Sequence, residues 1–374
     1  MRILFALPGL HRVVRGAEVA FEEVSRRIAS RPTFDVTLIG SGSARPNEPY
    51  RYVRSACLAR ERFEKFPSIP CLRDHYAYEE LSFAPGLLCA FSPAHFDITV
   101  TCAYPYTNWV LRSRRRNGLP RHVFVTQNGD WMIRSDHQEY KYFGCDGLIC
   151  TNPEHYQRHR NRYPSVLITN GVDPTIFVPG SGERQRLGLP SDKPIVLMVS
   201  ALTPFKRVLE GIQAISLLKE AFLVIAGDGE QRSEVVELGR RLLPNRFCLI
   251  TLPRADMPAL YRSANVFLHM SQDESSANVY VEALSSGVPI VAHDRPLMRW
   301  TLEDQAILVD TSDQRAVASG ILEAICMCGE TEVRARRELV QRRFSWESIA
   351  EQYCTFFEKV AGVEPAGPIQ EEPT

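Results

Sequence analysis

Residues 270–294 read MSQDESSANVYVEALSSGVPIVAHD. An apolar, strand-like run from Asn265 to His269 precedes the polar part of this stretch, and a second run, Val288 to Ala292, ends it. Between the two lie a polar loop and a short segment of helical spacing that starts near Asn278. Two carboxylates, Glu274 and Glu282, stand eight residues apart, the first in the loop and the second in the helix. Glu282 follows Asn278 by four residues, which puts both on one helix face. Carboxylates accept hydrogen bonds from vicinal hydroxyls, while the free N–H groups and dipole of a helix start attract an anion. A sugar nucleotide carries both kinds of group. The competing reading is a solvated helix with two unrelated acids, and the strand–loop–helix–strand order around them argues against it.

The E-x7-E spacing followed by Ala283-Leu-Ser-Ser-Gly-Val-Pro-Ile-Val-Ala292 resembles the donor site of retaining glycosyltransferases of family 4, also called group 1. The resemblance covers residues 145–355 well and residues 1–130 loosely. It implies an α/β chain of GT-B architecture, with two Rossmann-like domains whose parallel sheets face across a cleft. It also implies that Glu282 takes the ribose hydroxyls and Glu274 the hydroxyls of the transferred sugar. Ser275, Ser276, Ala277 and Asn278 would line the same donor pocket. The family often has an aromatic residue and a glycine where this chain has Ser276-Ala277-Asn278, so part of the close backbone approach is lost with Ala277.

Loss of a nucleoside diphosphate requires its charge to be stabilised, and preorganised cations supply the largest share of such catalysis. The segment Ser200-Ala-Leu-Thr-Pro-Phe-Lys-Arg207 resembles the family loop that carries an arginine and, five residues on, a lysine. Lys206 matches that lysine, Ser200 opens the loop, and Ala201 stands at the arginine position. Arg207 is the candidate for the missing charge. Two solvated cations at a helix start are disfavoured by the helix dipole unless an anion is present. In the first half of the chain, Gly16 fits the glycine-rich loop that approaches the donor diphosphate, although Arg15 replaces the family's second glycine. A glycine merely opening a helix competes with that role. Where the family often has a histidine near the donor sugar, this chain has Gln127 and Asn128. Asp130 can contact an acceptor hydroxyl or form an ordinary turn.

With 44 basic and 44 acidic residues the net charge is zero, so no global field points to nucleic acid. The length of 374 residues favours two domains. The N-terminal apolar run is broken by Pro8 and reads as a buried strand rather than a leader. No run approaches the ~18 apolar residues of a membrane span. The ten cysteines show no C-x-x-C pair, as expected of reduced thiols in a cytoplasmic protein. Arg112, Arg114, Arg115 and Arg116 suggest weak peripheral contact with anionic headgroups at the inner face of a membrane, in competition with a solvated helix end.

Strand-like runs at 2–7, 35–39, 97–101, 122–126, 147–150 and 166–169 are followed by a second series at 195–200, 222–226, 247–251, 265–269 and 306–309. Gly227-Asp-Gly229 lacks the third glycine of a dinucleotide fingerprint, because Arg232 stands there. The density of glycine and proline after Asn170 sets the expected boundary, giving domains 1–172 and 173–362. The first is expected to face the acceptor and the second to bind the nucleotide sugar, with a terminal helix crossing back near Trp346. The tail 363–374 is expected to be disordered. No D-x-D motif occurs, so no metal and no cofactor beyond the nucleotide-sugar co-substrate is expected. The acceptor, a sugar or a lipid-linked molecule, is not encoded legibly. Two alternatives remain open at this stage: a non-catalytic sugar-nucleotide-binding or partner subunit, and a sugar-nucleotide epimerase.

Overall fold

A computed structural model describes residues 1–273 and 278–362. The chain divides into two compact units, Met1–Asn170 with the chain from Trp346 onward, and Gly171–Ser345. It thus leaves the first unit two residues before the expected boundary, and the terminal helix belongs to that first unit. The tail 363–374, expected to be disordered, lies outside the described residues.

The first unit is built on strands β1 (Arg2–Ala6), β2 (Asp35–Gly40), β3 (Arg51–Arg54), β4 (Ile98–Thr101), β5 (Arg121–Val125), β6 (Gly147–Cys150) and β7 (Ser165–Leu167). They form a parallel sheet ordered β3-β2-β1-β4-β5-β6-β7. Helices α1 (Gly16–Ala29), α2 (His75–Ala90), α3 (Tyr106–Ser113), α4 (Trp131–Arg134) and α5 (Pro153–His159) connect them. β1 is apolar and buried after Arg2, and β4 (Ile-Thr-Val-Thr) is buried throughout, as strands covered on both faces are.

β3 and α2 lie in residues 41–96, where the sequence shows no clear period. α2 is started by Asp74, whose side chain accepts the Ala77 N–H at 2.9 Å. Pro85 lies inside it and Glu79 and Glu80 are buried, so the helical signal of its sequence is blurred. The Glu80 carboxylate accepts the N–H of Thr107, in the first turn of α3, at 3.2 Å. A helix start favours the anion, but burial outweighs it and pushes this carboxyl up to about 8.

The second unit has β8 (Ile195–Val199), β9 (Phe222–Ala226), β10 (Phe247–Ile250), β11 (Val266–His269), β12 (Ile290–His293) and β13 (Ala306–Val309). These also pair in parallel, in the order β10-β9-β8-β11-β12-β13. Helices α6 (Val208–Ser216), α7 (Arg232–Leu242), α8 (Met257–Ser263), α9 (Asn278–Ser285), α10 (Pro296–Leu302), α11 (Gln314–Ile325) and α12 (Glu330–Arg343) follow in turn. Apolar side chains fill both sides of the sheet, Leu197, Phe267 and Tyr280 on one and Val196, Leu268 and Ile212 on the other.

The last helix, α13 (Trp346–Ala361), returns to the first unit. Its buried residues Trp346, Ile349, Ala350, Tyr353 and Phe357 recur at the three- and four-residue spacing of one helix face. The Phe5 ring of β1 stands 5.4 Å from Phe21 of α1 and 6.1 Å from Phe357. In both sheets the strand order reverses beside the first strand, at β1/β4 and at β8/β11. Connections diverge there and leave a crevice at the carboxyl ends of the strands, the usual ligand position in open α/β sheets.

Candidate functional site

The turn after β8 carries the candidate cations. Ser200 accepts a close approach from the β9–α7 turn: a Cβ on Gly227 would lie 1.8 Å from the Ser200 carbonyl oxygen. The Leu202 N–H donates to Asp228 O at 2.9 Å, which locks the two turns together. The Gly227-Asp-Gly229 pair is therefore a packing requirement of the lysine turn. Pro204–Lys206 form a single 3-10 turn, and Arg207 caps α6 in left-handed conformation at φ 53°. That conformation costs a non-glycine residue of order 1 kcal/mol. The Arg207 side chain is mostly buried and its Nε donates to Glu210 at 3.3 Å, so this guanidinium already has an acidic neighbour. Lys206 is partly buried, whereas Phe205 projects outward, 84% exposed.

β11, the neighbour of β8, leads to the second half of the site. Of the residues expected to bind donor, Glu274, Ser275, Ser276 and Ala277 lie outside the described residues. The chain just before them is held from three sides. Thr311 Oγ1 donates to Met270 O at 3.1 Å, and Ser271 Oγ lies 3.1 Å from Phe205 O. Arg295 donates to Gln272 O at 3.2 Å and to Asp273 at 2.8 Å. Asn278 is the first residue of α9, and Glu282 sits one turn on, buried. The carboxylate of Glu282 accepts the Tyr261 hydroxyl at 2.9 Å and faces Arg254 at 3.5 Å. Burial pushes this carboxyl above the usual range, while Arg254 and Tyr261 pull it back. Gly287 ends α9 at φ 75°, and the N–H of Val288 returns to Ala283 O at 3.0 Å, a glycine-type helix stop that feeds β12.

His269 and Tyr280 were not singled out from the sequence. Tyr280 OH lies 2.9 Å from His269 Nδ1, and both side chains are buried. Burial first, and the Lys206 charge second, push the imidazole down to about 3. The sequence signal was a histidine closing an otherwise apolar strand.

The first unit places its candidates differently. Gly16 is the first residue of α1. Glu18, two residues on, is buried with its carboxylate close over Gly9, where a Cβ would lie 2.0 Å from it, and has Arg15 at 3.7 Å. The start of α1 thus holds an acid of its own. Gln127 and Asn170 exchange amide hydrogen bonds of 2.6 and 2.9 Å, and Gln127 is buried. Asn128 is exposed. Asp130 is buried and accepts His159 at 2.8 Å and Arg158 at 3.1 Å. Among the arginines at the end of α3 and just beyond it, Arg112 donates to Tyr142 O at 2.8 Å, and Arg115 to Asp146 at 2.6 Å. Arg114 and Arg116 are exposed, with Arg114 bonded to Leu88 O at 2.7 Å. No helix among the described residues is long and apolar enough to cross a membrane.

Residues 181–337 match the model of the family described as glycosyl transferases group 1. The chain is 29% identical over 197 residues to the GDP-mannose-dependent alpha-mannosyltransferase of Mycolicibacterium smegmatis, a match covering 51% of each chain. It is 26% identical over 354 residues to a D-inositol 3-phosphate glycosyltransferase of Thermomonospora curvata, across 80% of this chain and 79% of that one. The chain therefore spans about half of the first relative and most of the second. Among solved structures, Anabaena HepE in complex with UDP-glucose superposes with a TM-score of 0.73 at 17% identity, over 96% of this chain and 100% of that one. This likeness identifies the fold as GT-B.

Proposed function

We propose that the chain, whose residues 181–337 match the model of the glycosyl transferases group 1, is a member of that family and moves a sugar from a nucleotide-sugar donor to a hydroxyl-bearing acceptor, with retention at the anomeric carbon. The observation that carries this reading is the pairing of two turns at one switch point. Lys206 follows β8, α9 with Glu282 follows β11, and β8 and β11 are neighbours. A diphosphate in the crevice between these strand ends meets a lysine on one side and a helix start on the other.

In this mechanism the bond from the anomeric carbon to the diphosphate oxygen breaks, and the acceptor oxygen attacks from the same face. The acceptor proton passes to the departing phosphate oxygen. Lys206 offsets the charge that grows on the diphosphate, with Arg207 as second cation once it is drawn from Glu210. Glu282 accepts the ribose hydroxyls, and Glu274 takes those of the sugar. Lys206 and Arg207 replace the charge of a bridging metal, so chelation with EDTA should leave turnover intact. Arg114 and Arg116 are the exposed pair through which weak contact with anionic headgroups would be made.

The test is a panel of UDP-, GDP-, ADP- and dTDP-sugars, followed for slow hydrolysis and for transfer. Hydrolysis of at least one donor is expected, cut about 10²-fold or more by Lys206→Ala in a folded variant. Binding without hydrolysis across the panel would instead identify a non-catalytic sugar-nucleotide binder, a reading that Ala201 at the arginine position favours. Isomerisation of a donor without acceptor would identify an epimerase.

A further inference from the structure

The ends of β11 and α9 bury two polar side chains that the diphosphate reading leaves unused. His269 closes β11 and Tyr280 lies in α9, two residues before Glu282. Their rings are 4.9 Å apart, and Phe267 packs edge-on against Tyr280 at 6.0 Å. Desolvating two hydrogen-bonding groups is only partly offset by the bond between them, and an apolar pair of similar size would pack here at less cost. Stability alone does not account for the pair.

Its position does. Ser271, two residues beyond His269, reaches the carbonyl of Phe205 at 3.1 Å, which ties the end of β11 to the residue preceding Lys206. On its other side His269 is tied through Tyr280 to α9. A carboxylate in that place would compete with a diphosphate for the lysine, and a permanent cation would repel it. An imidazole kept neutral by burial and by Lys206 itself does neither.

We propose that His269, oriented by the Tyr280 hydroxyl, is a positioning residue that holds the Lys206 turn against α9, so that the ammonium and the helix start address the same diphosphate. The proposal rests on the diphosphate role of Lys206 and is separable from it by experiment.

Affinities for UDP, GDP and ADP are measured by calorimetry, and the tightest is carried through a mutant cycle. Lys206→Ala should weaken binding about tenfold or more. His269→Leu should weaken it on the order of fivefold in the wild-type background and have no further effect in the Lys206→Ala background, because the two act as one unit. Tyr280→Phe, which preserves the ring, should show the same dependence with a smaller loss. Equal losses in both backgrounds would mean that His269 serves the fold alone, and would overturn the proposal. So would undiminished binding by His269→Leu and Tyr280→Phe while Lys206→Ala binds weakly. If Lys206→Ala binds as tightly as wild type, the diphosphate role of the lysine fails first and the positioning role with it.

Discussion

Glu282 holds its carboxylate where burial opposes charge and where Tyr261 and Arg254 support it. Because its folded pKa lies above the unfolded one, the ionised form weakens the fold as pH rises through that interval. Glu282→Gln should therefore not lower the melting temperature at neutral pH. It should raise the donor KM about tenfold or more, with a smaller change in kcat, since a ribose contact is the same in ground and transition states. Steady-state kinetics beside a thermal melt checks both, and equal effects on KM and kcat would refute the ribose role. The settings of Lys206 in a strand-to-helix turn and of Glu282 inside α9 were legible in the sequence, because each lies in a local run of strand, turn and helix. Tyr261, Arg254, His269 and Tyr280 were not, because their partners lie 11 or more residues away and meet only in the folded sheet. Asp130 was legible as a polar turn residue, but nothing in its neighbours signalled that His159 and Arg158 would close over it.

At the level of elements, the turn after β9 acts on the lysine turn through its glycine. Gly227→Ala would drive a methyl into the Ser200 carbonyl, and one of the two turns must shift. A loss of about 2–4 kcal/mol in chemical denaturation is expected, together with weaker nucleoside diphosphate binding. A variant as stable as wild type would show the contact to be soft. The same dipeptide neighbourhood was readable as a failed dinucleotide fingerprint, while its real role depends on a neighbouring turn that no local pattern encodes. The strand rhythm of the second unit was read nearly intact, because its strands are short apolar runs. α2 escaped because Pro85 and two buried glutamates blur its helical signal. One of these gives a pH signature. Glu80, raised to about 8, penalises its charged form, so stability falls as pH climbs from the ordinary carboxyl range toward 8. Glu80→Gln should flatten this decline, stabilising the protein at pH 9 relative to wild type and little at pH 5. Urea midpoints at the two pH values measure it, and an unchanged slope would locate the titration elsewhere.

For the whole molecule, the terminal helix decides which unit survives truncation. Removing residues 346–374 strips Trp346, Tyr353 and Phe357 from the core around β1, each such side chain worth about 1.5–3 kcal/mol when buried. Calorimetry of that variant should lose the transition of the first unit and keep that of the second, whose chain is continuous from Gly171 to Ser345. Loss of both transitions would show that the second unit does not stand alone. The chain enters and leaves this second unit side by side: the Val172 N–H donates to Phe344 O at 2.8 Å, and Val172 bridges Ser345 in parallel. Adjacent ends are the geometry of an inserted domain. The second unit is thus a cassette spliced into a host fold through one doorway, and on the proposed donor role of that unit, grafting 171–345 from a relative with another nucleotide preference should exchange the donor while the host sheet stays whole.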